Sequence, residues 1–282
     1  MLIALKEFAV VILLYIPLGS NAFGQDSLVH HTQHYISVQS GYSRHMVKDD
    51  VISPLVYSGS QIPILLNWQM SARKGQHSIT GYYDYVKLTS SITITSPAEA
   101  FYAENHNAFI KYSYNRKIVT FTQWETSVFA GPELKFLLNQ RDHYYNNYTH
   151  YNTGEFISSL ELSFLVLKEF SKSQDKFSFR YNMSVIAYDM LNYLYNANVP
   201  KKLNIDASQN TSANLIKGNS LVTLNKYFEF QTELSYVKFI NKFMGVEIKY
   251  CFQYYNLEKY HNLLYTRYIN SQYLLGFMVK IY

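Results

Sequence analysis

The sequence has little of what helical membrane proteins and small secreted domains depend on. Of its 282 residues, 16% are charged, six are proline and one is cysteine. That cysteine, Cys251, has no partner for an intramolecular disulfide. No run reaches the ~20 apolar residues of a membrane-crossing helix, and the mean hydropathy of −0.16 is too low for a bundle of such helices. These absences exclude a helical membrane bundle and a disulfide-stapled domain.

Aromatic residues are present in excess. They make up 17% of the chain, with 28 tyrosines and 18 phenylalanines. Disordered chains lack such residues, so this chain folds. The net charge of +5 is too small and too scattered to predict a nucleic-acid partner. At this length, one large β domain is as natural as two smaller domains.

The N-terminus has the pattern of a secretory signal peptide. Lys6 precedes the apolar run Phe8–Leu18, and small residues follow at Ala22 and Gly24. The run is shorter than a membrane anchor requires. We therefore predict a signal peptide over residues 1–24 and a mature domain over residues 25–282, with cleavage after Ala22 as the alternative to cleavage after Gly24.

Apolar and polar residues alternate along the mature chain, as in strands with one apolar and one polar face. In the clearest segment, 243–254, Val246 and Ile248 lie on one face while Glu247 and Lys249 lie on the other. Segment 228–236 follows the same rule, and the short polar link at 241–242 makes the two a hairpin. Similar segments recur to the C-terminus, which predicts about ten strands within a range of eight to twelve.

The connections between these strands alternate in length. Short connections are predicted at 73–76, 120–124, 171–176 and 240–242, and long ones near 44–60, 90–106, 140–156, 190–219 and 257–269. Short periplasmic turns and long extracellular loops are typical of bacterial outer-membrane barrels. The sequence thus predicts an all-β, antiparallel transmembrane β-barrel.

The aromatic residues favour a barrel in a membrane over one in water. In a membrane barrel, the apolar face meets lipid, and tyrosine and tryptophan form girdles at the two interfaces. Trp68, Tyr83, Tyr112 and Tyr254 lie near the ends of predicted apolar faces. The soluble alternative is a secreted, carbohydrate-binding sandwich.

The sequence combines four features: the predicted signal peptide, the aromatic-rich alternating strands, the stretch Ala130-Gly131-Pro132-Glu133-Leu134 and the closing strand that ends at Tyr282. This combination resembles that of outer-membrane β-barrel proteins, particularly barrels of Bacteroidota. The segment Ile52–Gly59 is similar to a loop of such barrels. The resemblance implies a porin-like protein in the outer membrane of a Gram-negative bacterium.

The predicted inward face carries ionisable residues of both signs. Mixed charges in a narrow lumen pair with one another, so we predict that salt bridges and hydrogen bonds fill the interior. A conducting pore, or a cation path along Glu229 and Glu233, is the alternative, although wide channels need ~16 or more strands. The predicted lumen-facing residues are Asp84, Lys111, Glu133, Lys135, Glu161, Arg180, Glu229, Glu233, Glu247 and Lys249.

No motif for a metal, a cofactor or a catalytic nucleophile is present, so we predict a structural, binding or small-pore role without catalysis. The alternative is an outer-membrane hydrolase acting on lipid or peptide through rim residues, for which Asp142, His143 and His150 are the candidates. The expected partners are outer-membrane lipid and, through the Tyr- and Asn-rich segment 142–151, an extracellular glycan or protein.

Overall fold

The structure is a computed structural model that describes residues 32–49, 53–90, 101–145, 149–171, 173–194, 219–260 and 264–281. The predicted signal peptide lies outside these residues. The described residues belong to one compact unit, Thr32–Tyr282.

The described residues of the unit form strands, with one short 3-10 turn among them at Thr122–Trp124. No described helix is long and apolar enough to cross a membrane. The strands are β1 (Gln33–Asp49), β2 (Ser53–Gln61), β3 (Ile64–Ala72), β4 (Gly75–Ser90), β5 (Tyr102–Phe121), β6 (Thr126–Tyr145), β7 (Thr149–Glu169), β8 (Lys176–Leu194), β9 (Asn219–Thr223), β10 (Tyr227–Phe239), β11 (Met244–Tyr260) and β12 (Leu264–Ile281).

These strands form a closed antiparallel ring. Consecutive strands pair with one another, except that no pairing is described between β2 and β3 or between β9 and β10, and β12 returns to pair with β1 from His34↔Ile281 to Asp49↔Thr266. Strands β2 and β3 both pair with β1 and β4 and so act as one interrupted wall strand. Strands β9 and β10 both pair with β8 and likewise act as one interrupted wall strand. The wall therefore has about ten strands, which confirms the predicted fold.

The ring has two different ends. The short turns between β3 and β4, β5 and β6, β7 and β8, and β10 and β11 lie at one end, which we call the turn end, together with the start of β1 and the finish of β12. The opposite end is the loop end. The prediction of long loops at 44–60, 140–156 and 257–269 was wrong in extent, because β1, β2, β6, β7, β11 and β12 run through most of these segments.

Side chains alternate between an exposed outer face and a buried interior. On β11, Ile248 is 59% exposed and its neighbour Glu247 is 3% exposed. On β12, Phe277 is 62% exposed and Met278 is 6% exposed. Comparable apolar side chains cover the outside of every wall strand, and we call them the apolar belt. An apolar exterior around a polar interior is the reverse of a soluble barrel, and it suits contact with lipid hydrocarbon.

Glycine permits a close approach of two wall strands at Gly131. A Cβ atom at Gly131 would lie 1.8 Å from the carbonyl oxygen of Tyr114. There, the pairing of β5 with β6 is interrupted between Ser113↔Glu133 and Arg116↔Ala130. The Ala130-Gly131-Pro132 stretch thus marks a local irregularity where only glycine fits.

Candidate functional site: the barrel lumen

The ten ionisable residues predicted for the inward face lie on the inner side of the wall. Strand alternation places them there, because each is flanked by outward-facing neighbours. Asp84, Lys111, Glu133, Lys135, Glu161, Glu229, Glu247 and Lys249 are buried. Arg180 and Glu233 keep small exposed fractions, 12% and 14% of their side chains.

In the turn-end half, the charged side chains form one connected network. Lys111 Nζ lies 2.5 Å from Glu233 Oε1 and 3.7 Å from Glu133 Oε1. Arg180 Nη1 lies 3.6 Å from Glu133 Oε2 and also donates to Ser78 and Ser113. Because β5 and β10 stand on nearly opposite sides of the ring, the contact between Lys111 and Glu233 crosses the lumen.

At mid-height, Lys135 pairs with Glu229, and a second glutamate, Glu161, is also buried. Lys135 donates to Glu229 Oε1, which also accepts a hydrogen bond from Gln253 Nε2 at 2.8 Å. Glu161 accepts a hydrogen bond from Ser159 Oγ at 2.9 Å, and its second carboxylate oxygen has no hydrogen-bond partner among the described residues. The lumen therefore carries an excess of acid at this level.

Nearer the loop end lies a serine–histidine–aspartate cluster that sequence reasoning missed. His45 Nε2 lies 2.9 Å from Ser43 Oγ and 2.6 Å from Asp84 Oδ2, while Nδ1 lies 2.6 Å from the Tyr268 hydroxyl. A catalytic triad requires the serine and the acid on different ring nitrogens and a serine that substrate can reach. Here both share Nε2 and all three residues are buried, so the cluster is structural.

A second missed cluster centres on Arg141. Its Nη2 atom lies 2.6 Å from Glu155 Oε1 and 2.9 Å from Asp49 Oδ2. Tyr255 donates to Glu155 at 2.7 Å and accepts from Asn139 at 2.6 Å. Asp49, Arg141 and Glu155 were missed because they lie in segments predicted to be loops. Their alternation with outward residues was the signal that could have revealed them.

Apolar and tyrosine side chains complete the loop-end half. They belong to one buried cluster that includes Val47, Val86, Leu88, Ala103 and Leu257. By contrast, a cavity in the described lumen lies in the turn-end half. It measures about 60 Å³ and is lined by residues such as Gln76, Arg180, Glu233 and Lys249. That volume holds a few water molecules.

The structure does not unite the predicted catalytic residues. Asp142 and His143 are consecutive on β6 and therefore point to opposite faces. His143 is buried inside the wall, with its ring centroid 5.6 Å from that of Tyr57, whereas Asp142 lies on the outer face. The backbone of His150 pairs with that of Tyr144, and the position of its side chain is outside the described part of the structure.

No metal-binding group of three or more His, Cys, Asp or Glu side chains occurs among the described residues. Cys251 is buried on the inner face. The polar side chains of the described lumen thus form hydrogen bonds and ion pairs with one another, as in a polar core.

Comparison with known proteins places this architecture among bacterial outer-membrane barrels. No known protein family matches the sequence. No curated protein matches it either. The outer-membrane protease OmpT from Escherichia coli has a similar structure, with a TM-score of 0.55 and 7% identity over 91% of this chain and 99% of OmpT. At that identity, the similarity supports the barrel fold.

A second similar structure is the translocator domain of the autotransporter NalP from Neisseria meningitidis. It has a TM-score of 0.41 and 7% identity, over 98% of this chain and 96% of that domain. That score is too low to add to the argument from OmpT. The fold, together with the apolar belt, supports the outer-membrane location expected from the sequence. The resemblance to barrels of Bacteroidota stays a prediction.

Proposed function

We propose that this protein is a non-conducting outer-membrane β-barrel of a Gram-negative bacterium, with a structural and binding role. The observation that supports this proposal is the set of hydrogen bonds and ion pairs that cross the lumen. Lys111 reaches Glu233, Arg141 reaches Asp49, and Asn107 Nδ2 reaches the Tyr268 hydroxyl at 2.7 Å. In each pair the two residues come from distant strands of the ring.

A barrel of this size has little room for a pore. In narrow barrels, side chains fill the interior, and wide aqueous channels belong to much larger rings. The cross-lumen pairs and the apolar cluster fill the lumen on the loop-end side of the cavity of about 60 Å³. The lumen then serves as a core that holds the wall in register.

Planar-bilayer conductance of the refolded mature chain tests this closure. We expect no current steps above the bare-bilayer baseline across a range of voltages. Reproducible steps of defined size would contradict the proposal and favour the small-pore role.

A binding role is supported by a group of outward-facing side chains beyond the apolar belt at the loop end. Tyr102 and Tyr144 stack with ring centroids 4.6 Å apart, and Lys87 Nζ lies 4.0 Å from the Tyr102 ring centroid. The Tyr144 hydroxyl donates to Glu104 Oε2 at 3.5 Å. Partial burial, followed by the negative charges of Glu104 and Asp142, raises the pKa of Tyr144. The phenol is therefore a hydrogen-bond donor at neutral pH.

This group suits an extracellular glycan. Aromatic rings pack against the C–H faces of sugars, and carboxylate and ammonium groups hydrogen-bond to sugar hydroxyls. Titration of the refolded protein with purified outer-membrane oligosaccharide tests the proposal. Tyr144→Ala should weaken binding several-fold, whereas Tyr83→Ala, within the apolar belt, should not. Equal loss in both variants, or no binding to the unchanged protein, would contradict it.

The alternative function is hydrolysis of lipid or peptide. The similarity to a barrel that is itself a protease is the reason to test it. The opposite orientations of Asp142 and His143 argue against a joint catalytic site at those positions. We expect no turnover of fluorogenic peptide or phospholipid substrates. Turnover that is lost in His143→Ala while the protein stays folded would support the hydrolase instead.

A further inference from the structure

At the turn end, the β5–β6 hairpin extends past the neighbouring β3–β4 turn. Strand β4 begins at Gly75, which pairs with Arg116 of β5. The Lys117 amide donates to the Lys74 carbonyl at 2.9 Å. Beyond that bond, β5 continues to Phe121. Residues 118–121 therefore run beyond the last point at which β4 can pair with them.

This extension leaves a strand edge open. On one side, β6 pairs with the segment through Val119↔Val128, Thr120↔Ser127 and Phe121↔Thr126. On the other side, none of the residues that the structure describes pairs with its backbone. Unpaired N–H and C=O groups on a strand edge can template pairing with another strand. Such groups would be costly in hydrocarbon, so the segment suits the aqueous side of the belt.

Apolar side chains accompany the open edge. Ile118 is 62% exposed, Phe121 is 44% exposed and Trp124 is 65% exposed. The rings of Phe121 and Trp124 contact one another, with centroids 5.7 Å apart. The sequence Ile-Val-Thr-Phe at 118–121 consists of residues that favour strands. An apolar surface beside an unpaired edge provides both parts of a strand-docking site, backbone hydrogen bonds and side-chain contacts.

The charges around this edge are positive. Arg73, Lys74 and Arg116 are exposed, and Lys117 lies next to them with Nζ 5.5 Å from the Phe129 ring centroid. The acid of the same hairpin, Glu125, accepts hydrogen bonds from the Ser171 amide and hydroxyl. Two copies of this edge would repel one another, whereas a negatively charged strand would be attracted.

We propose that the edge formed by residues 118–121 binds an extended, acidic segment of a periplasmic partner protein by strand addition. The partner strand would continue the sheet beyond β5, where β4 ends. Its acidic side chains would meet Lys74 and Arg116, and its apolar side chains would cover Ile118 and Phe121. This surface lies at the opposite end of the barrel from the proposed glycan contact, so the two can be tested separately.

Hydrogen–deuterium exchange of the refolded mature chain in micelles tests the proposal. The probe is a peptide of about eight residues, an ordinary strand length, that alternates glutamate and valine. Its control is the same peptide with alternate backbone amides N-methylated, which removes the donors needed for pairing. We expect the first peptide to slow exchange at the amides of 118–121 that point away from β6 and the methylated peptide to leave it unchanged.

Charge variants separate docking from general electrostatic attraction. Arg116→Glu combined with Lys74→Glu should weaken peptide binding at least several-fold, whereas Lys242→Glu, at the exposed β10–β11 turn, should not. The proposal is overturned if the peptide gives no protection, or if the amides of 118–121 that point away from β6 are already protected in the mature chain alone. It is also overturned if Lys242→Glu weakens binding equally, or if anionic phospholipid vesicles alone protect those amides, which would indicate a lipid contact.

Discussion

The two halves of the lumen differ in what surrounds their buried charged side chains. In the turn-end half, Lys111, Arg180, Glu133 and Glu233 form a continuous network beside a cavity that can hold water. In the loop-end half, the Arg141 cluster is embedded among tyrosine and aliphatic side chains.

That difference shows how charge is tolerated in each half. A charged group near water tolerates the loss of a partner, because water can replace the lost interaction. A charged group buried in a dry cluster does not, because its desolvation is no longer compensated. The loop-end half should therefore respond to substitution more strongly than the turn-end half.

The largest effect is expected at Arg141. Arg141→Ala leaves Asp49 and Glu155 buried without their cation, which should lower the free energy of unfolding by about 3–5 kcal/mol. Urea unfolding of the protein in lipid vesicles measures this change. The triple variant Arg141→Met, Asp49→Asn and Glu155→Gln removes the charges together and should recover much of the loss. A loss below about 1 kcal/mol in Arg141→Ala, as at exposed pairs, would show that water reaches the cluster.

A somewhat smaller effect is expected for an apolar truncation in the same half. Leu88→Ala should cost about 2–4 kcal/mol, because it opens a cavity in a dry cluster. Leu167→Ala, at the wall of the turn-end cavity, should cost less, since water can occupy the vacated space. The same unfolding experiment compares the two variants. Equal costs would break the distinction between a dry half and a wet half.

At Lys111 we expect a moderate effect. Lys111→Ala removes a charged hydrogen bond to Glu233, which is worth about 1.5–3 kcal/mol. Arg180 remains close to Glu133, and the cavity lets water approach the freed carboxylates. The unfolding free energy should therefore fall less than in Arg141→Ala. A larger fall than in Arg141→Ala would reverse the comparison.

The smallest effect concerns pH at the turn end. Burial acts to raise the pKa of Asp175, but hydrogen bonds from Ser173, the Tyr236 hydroxyl and the Phe239 amide outweigh it, so the pKa lies below its usual 3.8. The folded state therefore favours the carboxylate. Its contribution to stability is complete above the unfolded pKa and is lost as pH falls through the lower, folded pKa.

Unfolding between pH 6 and pH 3 checks the Asp175 contribution. In Asp175→Asn, the part of the fall in unfolding free energy at low pH that this carboxylate causes should disappear. In Tyr236→Phe, that part of the fall should become smaller. An unchanged pH profile in both variants would show that these hydrogen bonds do not form in solution.

Much of the wall could be predicted from local sequence. The period of two identifies the faces of segments such as 243–254, because adjacent strand residues must point to opposite sides. The same rule would have separated Asp142 from His143 if β6 had been extended to Tyr145. The opposite orientation of these two residues was not predicted, because their segment was predicted to be a loop. The strands continue beyond the apolar belt, where the outer face becomes polar and the alternation of hydropathy is weak.

The lumen contacts could not be predicted in the same way. Arg141 and Asp49 are far apart in sequence and meet only because β12 closes the ring onto β1. Which acid faces which base depends on the register of every intervening strand pair. Composition and alternation indicate that the charges are enclosed, and the three-dimensional structure is needed to show how they pair.

The orientation of the wall is the central claim, and photolabelling of two consecutive residues on β7 tests it directly. Leu162 is 57% exposed on the outer face and Ser163 is 2% exposed on the inner face. In a Cys251→Ser background in lipid vesicles, Leu162→Cys should be labelled by a bilayer-soluble diazirine on photolysis, which needs no ionised thiol, and Ser163→Cys should not. Labelling of Ser163→Cys from the bilayer, with Leu162→Cys protected, would contradict the account.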